Sequence, residues 1–182
     1  MPRLVAPTGV AMELLDAAAL LWRLHLRGVD VGNRWADIAD AYEPTLSDGY
    51  YPFNDMHAAM AFVATGRWDL VASLLRTLRA RAGDTDSGGL LIRDVGLPVV
   101  RAIEAFGRGD YATAVSILRP VRLIANRFGG SHAQRDIVHR TLIGAALRAG
   151  DGALSRALTA ERTAQKPHCP FSWRLRSAAE AM

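Results

Sequence analysis

The fold of this chain is decided by four short segments: Leu26-Arg-Gly28, Ala64-Thr-Gly66, Gly107-Arg-Gly109 and Arg148-Ala-Gly150. Their last glycines are separated by 38, 43 and 41 residues. Each glycine follows an apolar pattern of helical period and precedes another one. This arrangement is typical of a helix that ends at a left-handed glycine before the chain turns back. We therefore expect four helical hairpins.

The apolar periodicity predicts where the helices of these hairpins lie. The predicted ranges are 11–27 with 34–42, 53–64 with 68–82, 99–106 with 111–118, and 131–149 with 153–165. A short terminal helix over 171–182 follows, and two segments, 43–52 and 83–96, are predicted to be linkers. Because one hairpin cannot bury its own apolar face, the hairpins are expected to stack. The sequence thus predicts a single all-α domain over residues 1–182, a right-handed α-solenoid of about four tetratricopeptide-like hairpins.

Composition and charge indicate the compartment of the protein and argue against a membrane-bound function. The chain has 182 residues, half of them hydrophobic, and its single cysteine, Cys169, cannot form an internal disulfide. We therefore expect a cytoplasmic protein. Glu13 and Asp16 interrupt the only apolar stretch near the N-terminus, and no uncharged run reaches the roughly 20 residues of a membrane helix, so no membrane partner is expected.

The charge pattern disfavours nucleic acid as a partner. The net charge is +4, and Lys166 is the only lysine among the cations. The two arginine clusters are not interleaved with aromatic residues as single-strand binders require. They comprise Arg76, Arg79 and Arg81, and Arg119, Arg122 and Arg127. Solvent-exposed helix faces explain both clusters.

Several motifs resemble one family. The most specific is Gly129-Gly-Ser-His-Ala-Gln-Arg-Asp136, and Asp30-Val-Gly-Asn-Arg-Trp35 and Phe53-Asn-Asp-Met-His-Ala58 agree with it. Over residues 11–176 the chain is similar to the C-terminal half of the tetratricopeptide-repeat protein 38 family of bacteria and animals. The resemblance implies a helical-repeat scaffold and supplies no established catalytic residues. Since family members carry further repeats upstream, we expect the first hairpin to be uncovered and to form a homodimer through Leu14, Leu21, Trp22 or neighbouring apolar positions.

Polar residues at the starts of two predicted inner helices form the candidate site. Equivalent helix ends lie along one edge of a solenoid, so these residues are expected to converge on a groove. They are Asp55 and His57, followed by His132, Arg135, Asp136 and His139, with Tyr50 and Tyr51 as further contacts in a linker. Three interpretations remain open: helix capping by Ser131 and the aspartates, a groove for a polar or anionic ligand, and a metal site on one helical stripe.

The sequence favours a scaffold that binds a protein or peptide partner through a concave groove, with no catalytic activity and no cofactor. It contains no phosphate-binding loop, zinc-ribbon spacing or nucleophile elbow. The alternative is a small-ligand or metal-binding protein, or an enzyme, that uses the polar cluster. Convergence of Asp55, His57, His132 and Asp136 on one pocket would favour that alternative.

Overall fold

The structure, a computed structural model, describes residues 11–46, 49 and 51–182. Over these residues it contains helices and no strand, which confirms the all-α class. The ten α-helices are α1 (Ala11–His25), α2 (Arg34–Tyr42), α3 (Pro52–Ala64), α4 (Trp68–Arg81), α5 (Ser87–Leu91), α6 (Leu97–Gly107), α7 (Tyr111–Val121), α8 (His132–Arg148), α9 (Gly152–Gln165) and α10 (Pro170–Glu180). Short 3-10 segments cover Glu43–Thr45 and Ala125–Phe128.

The four glycine turns are confirmed. Gly28, Gly66, Gly109 and Gly150 all have positive φ, between 68° and 79°. Each turn has the same two backbone hydrogen bonds, as in Gly66 N–H to Val63 O and Arg67 N–H to Phe62 O. These bonds satisfy carbonyl groups that the helix end would leave without partners. A left-handed glycine therefore ends the first helix of each hairpin.

The linker predicted over 83–96 is confirmed only over 83–86. A continuous helical stretch runs from Ser87 to Gly107, with a π-helical turn over Ile92–Gly96 between α5 and α6. Asp86 caps its start by accepting the Gly89 N–H at 2.7 Å. Gly89 and Gly96 are packing residues, because a Cβ would lie 2.4 Å from the Asp84 carbonyl oxygen in the first case and 2.4 Å from the Pro52 Cβ in the second. The linker was predicted to be too long because glycine occurs both in turns and where two segments of backbone approach each other closely.

Four inner helices form the core. Helix α1 packs against α3, α3 against α6, and α8 against both α6 and α1. Helices α2, α4, α7 and α9 pack around them, and α10 packs on α9. Helix α3 is buried on nearly all sides, as its apolar composition predicted.

The contact between α1 and α8 joins the first hairpin to the fourth. The Trp22 indole N–H donates to Thr141 Oγ1 at 2.9 Å across 119 residues of sequence. In an open row of hairpins each unit contacts only its neighbours, so this closure differs from a simple linear stack. Leu21 and Trp22, which were expected to self-associate, are 1% and 0% exposed, whereas Leu14 is half-buried. The prediction that Leu21 and Trp22 form a dimer contact was wrong because both side chains are buried within the fold.

Candidate functional site

The polar residues of α3 lie in the interior. His57 is 0% exposed and Asp55 is 8% exposed. The His57 Nδ1 lies 2.8 Å from the Phe53 carbonyl, so this nitrogen carries the proton and donates it. Burial lowers the pKa of His57 to about 4, and the ring is therefore neutral at neutral pH. His57 is a core residue that is satisfied on one nitrogen.

The polar residues of α8 line an open groove with a volume of about 400 Å³, which we call the α8–α9 groove. All four residues predicted on α8 contribute to it, and Asp55, His57 and Tyr51 do not. The lining includes Arg122, Leu123, Asn126, His132, Arg135, Asp136, His139, Glu161, Gln165 and Lys166. The expected convergence of α3 and α8 residues on one pocket was therefore wrong.

Asp136 is held by two cations. Arg162 donates to both carboxylate oxygens, at 2.6 and 3.0 Å, and Lys166 Nζ lies 3.0 Å from Oδ1. Burial by itself would raise the pKa of Asp136, but the hydrogen bonds and charges of Arg162 and Lys166 outweigh it and lower the pKa to about 2. Asp136 therefore remains ionised and paired at neutral pH.

A second ion pair closes the opposite side of the groove. Arg122 donates to Glu161 Oε1 at 2.7 Å, and this hydrogen bond lowers the pKa of Glu161. The Arg122 Nε is buried without a hydrogen-bond partner among the described residues. Both carboxylates of the groove are thus paired, while Arg122 still has donor capacity.

His139 and Arg135 have different surroundings within the groove. Burial and the charge of Arg162 lower the pKa of His139, and its buried Nε2 has no hydrogen-bond partner within the described part of the chain. Arg135 donates to the carbonyls of Gly129 and Gly130, the turn that precedes α8. Arg135 therefore stabilises this turn as well as lining the groove.

The start of α8 has the predicted capping box. The Gln134 N–H donates to Ser131 Oγ at 3.3 Å, and the Ser131 N–H donates to Gln134 Oε1 at 2.8 Å. The interpretation of this string as a cap is confirmed. His132, which is exposed, takes no part in the cap.

The two linker tyrosines do not line the groove. Tyr50 lies outside the described residues. Tyr51 is partly exposed, and a Cβ on Gly129 would lie 2.1 Å from its hydroxyl oxygen. Its ring packs beside that of Phe53, with centroids 6.0 Å apart. Tyr51 thus packs between the start of α3 and the turn before α8.

Several groove residues were not predicted, and their sequence positions explain why. Arg122 was interpreted as part of a solvent-exposed cluster, and Glu161, Gln165 and Lys166 had no motif. Glu161 pairs with Arg122 across 39 residues, and Arg162 pairs with Asp136 across 26. The only signal was that opposite charges lie on neighbouring predicted helices.

No family model matches this chain. No solved structure matches it either. Over the described residues, no helix combines the length and apolar character that crossing a membrane requires. Among the same residues, no three His, Cys, Asp or Glu side chains are grouped so that they could hold a metal ion. The stripe of His132, Asp136 and His139 thus gains no support as a metal site.

Proposed function

We propose that this chain is a helical binding module that holds an acidic peptide segment of a partner protein in the α8–α9 groove and has no catalytic activity. The observation that carries the proposal is the charge balance of the groove. Its three cations are Arg122, Arg135 and Lys166, and its two carboxylates are already paired. An acidic segment would therefore meet donors with spare capacity and no unpaired negative charge.

The shape and rim of the groove also favour a peptide. The groove lies open on the surface between α8, α9 and the segment after α7. Leu123, which lines it, is 71% exposed, more than any other large hydrophobic residue whose exposure the structure describes. A single exposed leucine is ordinary on a protein surface. Next to a cationic groove, however, it provides an apolar contact for a residue that flanks the acidic side chains.

The alternative of an enzyme has less support from the geometry. An acid–base site needs a titrating group within reach of a substrate. Asp136 does not serve as one, because its pairing with Arg162 and Lys166 lowers its pKa to about 2. Asp55 and His57 are buried away from the groove. Burial lowers the pKa of His139, and a single histidine is no complete catalytic set.

The finer assignments belong to the same proposal. We propose that the four hairpins are tetratricopeptide-like repeats of a right-handed solenoid, whose first and last units have come into contact. Membership of the tetratricopeptide-repeat protein 38 family and a cytoplasmic location remain expectations from the sequence. A homodimer also remains a prediction, although Leu21 and Trp22 cannot form its interface.

Site-specific photocrosslinking tests the proposal in the native cell. A photoreactive phenylalanine analogue replaces Asn126, an exposed residue of the groove, and in a matched control it replaces Arg76, which is exposed on α4. We expect a protein to be crosslinked from position 126 and not from position 76. A crosslink to RNA, or equal crosslinking of the same protein from both positions, would overturn the proposal.

The charge requirement is tested on the crosslinked segment once it is known. A synthetic peptide of that segment is expected to lose at least about tenfold in affinity when its acidic residues are replaced by amides. Raising the salt concentration should weaken the wild-type peptide more than the amide peptide, because exposed charge pairs are screened. Equal affinities for the two peptides would contradict an acidic ligand.

A further inference from the structure

Arg140 on α8 is a partly buried arginine without a polar partner. Its guanidinium carbon lies 4.1 Å from the centroid of the Phe171 ring, over the face of that ring. Its Nε is buried, and Arg140 forms no hydrogen bond or ion pair with any residue that the structure describes. Arg162, in contrast, is 3% exposed and donates two hydrogen bonds to Asp136. Arg140 is therefore a cation whose donors are not used by the fold.

The surroundings of Arg140 carry an excess of positive charge. The Arg162 guanidinium carbon lies 5.9 Å from the same Phe171 centroid. Arg23 of α1 donates to the Ala133 carbonyl, which is two turns before Arg140 on the same face of α8. The nearest helical neighbour with a carboxylate is Asp136, one turn earlier, and Arg162 and Lys166 already bind it. Three guanidinium groups thus lie near two carboxylates: Asp136, which Arg162 and Lys166 bind, and Asp16 of α1, whose charge acts on Arg23. Arg140 is paired with neither of them.

The pKa of Arg140 agrees with this geometry. Burial lowers the pKa to about 10, Asp136 opposes the change, and the charges of Arg23 and Arg162 add to it. The group still carries its charge at neutral pH. A buried charge without a partner destabilises the fold. Burial removes the hydration of the charge, and the low dielectric of the interior strengthens its repulsion from like charges.

The stacking on Phe171 leaves the donors of Arg140 available. A guanidinium that stacks on an aromatic ring uses its flat face for that contact, while its N–H groups point outward in the plane. In-plane N–H groups match the two oxygens of a carboxylate or phosphate. Phe171 is in the first turn of α10, so the stacking places the guanidinium beside the start of that helix.

We propose that Arg140 anchors a second binding site, separate from the α8–α9 groove, which takes an oxyanion, the carboxylate or phosphate group of a small ligand. The site lies where α8 meets the start of α10, with Arg140 as the bidentate donor over Phe171. Arg23 and Arg162 provide the positive potential around it. Arg140 is not among the residues that line the groove, so the two sites are distinct.

Nuclear magnetic resonance of the arginine side chains tests this proposal. The Nε–H signal of Arg140 is assigned by its loss in Arg140→Met, and sodium phosphate and sodium acetate are titrated at constant ionic strength against sodium chloride. We expect a saturable shift of the Arg140 signal with phosphate, with acetate, or with both, and none with chloride. The anion that shifts the signal identifies the class of ligand. No saturable shift with either anion would overturn the proposal.

Three variants make the test specific. Arg140→Lys keeps the charge but loses the bidentate donor, so we expect binding to weaken at least about tenfold. Arg174→Met, which removes an exposed arginine of α10 that forms no hydrogen bond or ion pair with described residues, is the matched control and should bind as the wild type does. The melting temperature provides an independent readout: the anion should raise it in the wild type and not in Arg140→Met. Equal rises in both proteins would show unspecific salt stabilisation and contradict the site.

Discussion

The starts of α3 and α8 have similar polar residues but different surroundings. Helix α3 packs against α1, α2, α4 and α6, so Asp55 and His57 are enclosed. At the start of α8, Arg23 of α1 donates to the Ala133 carbonyl and Arg162 of α9 donates to Asp136. His132, Asp136 and His139 nevertheless line an open groove. The same residue types therefore produce a core in one place and a binding surface in the other. The two starts differ in exposure, since Asp55 and His57 are 8% and 0% exposed whereas His132 is exposed.

The strongest test of this comparison removes the ion pair beneath the groove. Arg162→Met leaves Asp136 partly buried without its bidentate donor, and we expect a loss of about 3–5 kcal/mol in unfolding free energy. Urea denaturation measures it. Arg176→Met, which breaks the exposed pair with Glu180, is the control and should cost about 0.5 kcal/mol or less. A loss below about 1 kcal/mol for Arg162→Met would show that this pair does not hold α9 on α8.

The second test uses the pKa of His57. Its pKa is about 4 in the folded chain, below the ordinary value of 6.5, so the unfolded chain binds the proton more tightly. Stability is therefore complete above pH 6.5 and is lost as the pH falls toward 4. The contribution of His57 to this loss is about 3 kcal/mol.

The measurement is urea denaturation at pH 6.5, 5.5 and 4.5 for the wild type and His57→Asn. The variant is expected to be less stable at pH 6.5 but to lose less stability on acidification. Ser177→Ala, which changes an exposed residue that does not titrate, should keep the wild-type slope. If His57→Asn kept the same slope, the histidine would titrate normally and would not be enclosed.

The features that the sequence predicted are local ones. The turns at Gly28, Gly66, Gly109 and Gly150 and the cap at Ser131 each depend on a few consecutive residues. The linker was predicted to extend too far, to residue 96, because Gly89 and Gly96 were interpreted as turn residues. They are small because Asp84 and Pro52 pack closely against them. A glycine in a sequence does not show whether it is required by a turn or by close packing.

The candidate site could be predicted only in part, because its other half comes from distant segments. The α8 residues were identified from one string, whereas Arg122, Glu161 and Lys166 enter the groove through the packing of α9 and the segment after α7. The closure of α1 on α8 depends on Trp22 and Thr141, 119 residues apart. No periodicity within one helix encodes such a contact.

A smaller effect is expected from the cap of α8. Ser131→Ala removes the acceptor of the Gln134 N–H, and the free energy of unfolding should fall by about 1 kcal/mol. Thermal unfolding followed by circular dichroism measures the change. Ser177→Ala, at an exposed position of α10 whose hydroxyl forms no hydrogen bond with described residues, should change it by less than about 0.5 kcal/mol. A larger loss than that of Arg162→Met would place the main support of the groove in the cap.

The central claim, that the α8–α9 groove binds the partner, is tested most directly by the affinity of the crosslinked partner segment for the double variant Leu123→Ser, His132→Ala. Both residues are exposed, so each change should alter stability by less than about 0.5 kcal/mol. We predict that affinity falls at least about tenfold, as measured by isothermal titration calorimetry, while His57→Asn binds as the wild type does. Wild-type affinity in the double variant, with loss of binding in a folded His57→Asn, would contradict the account.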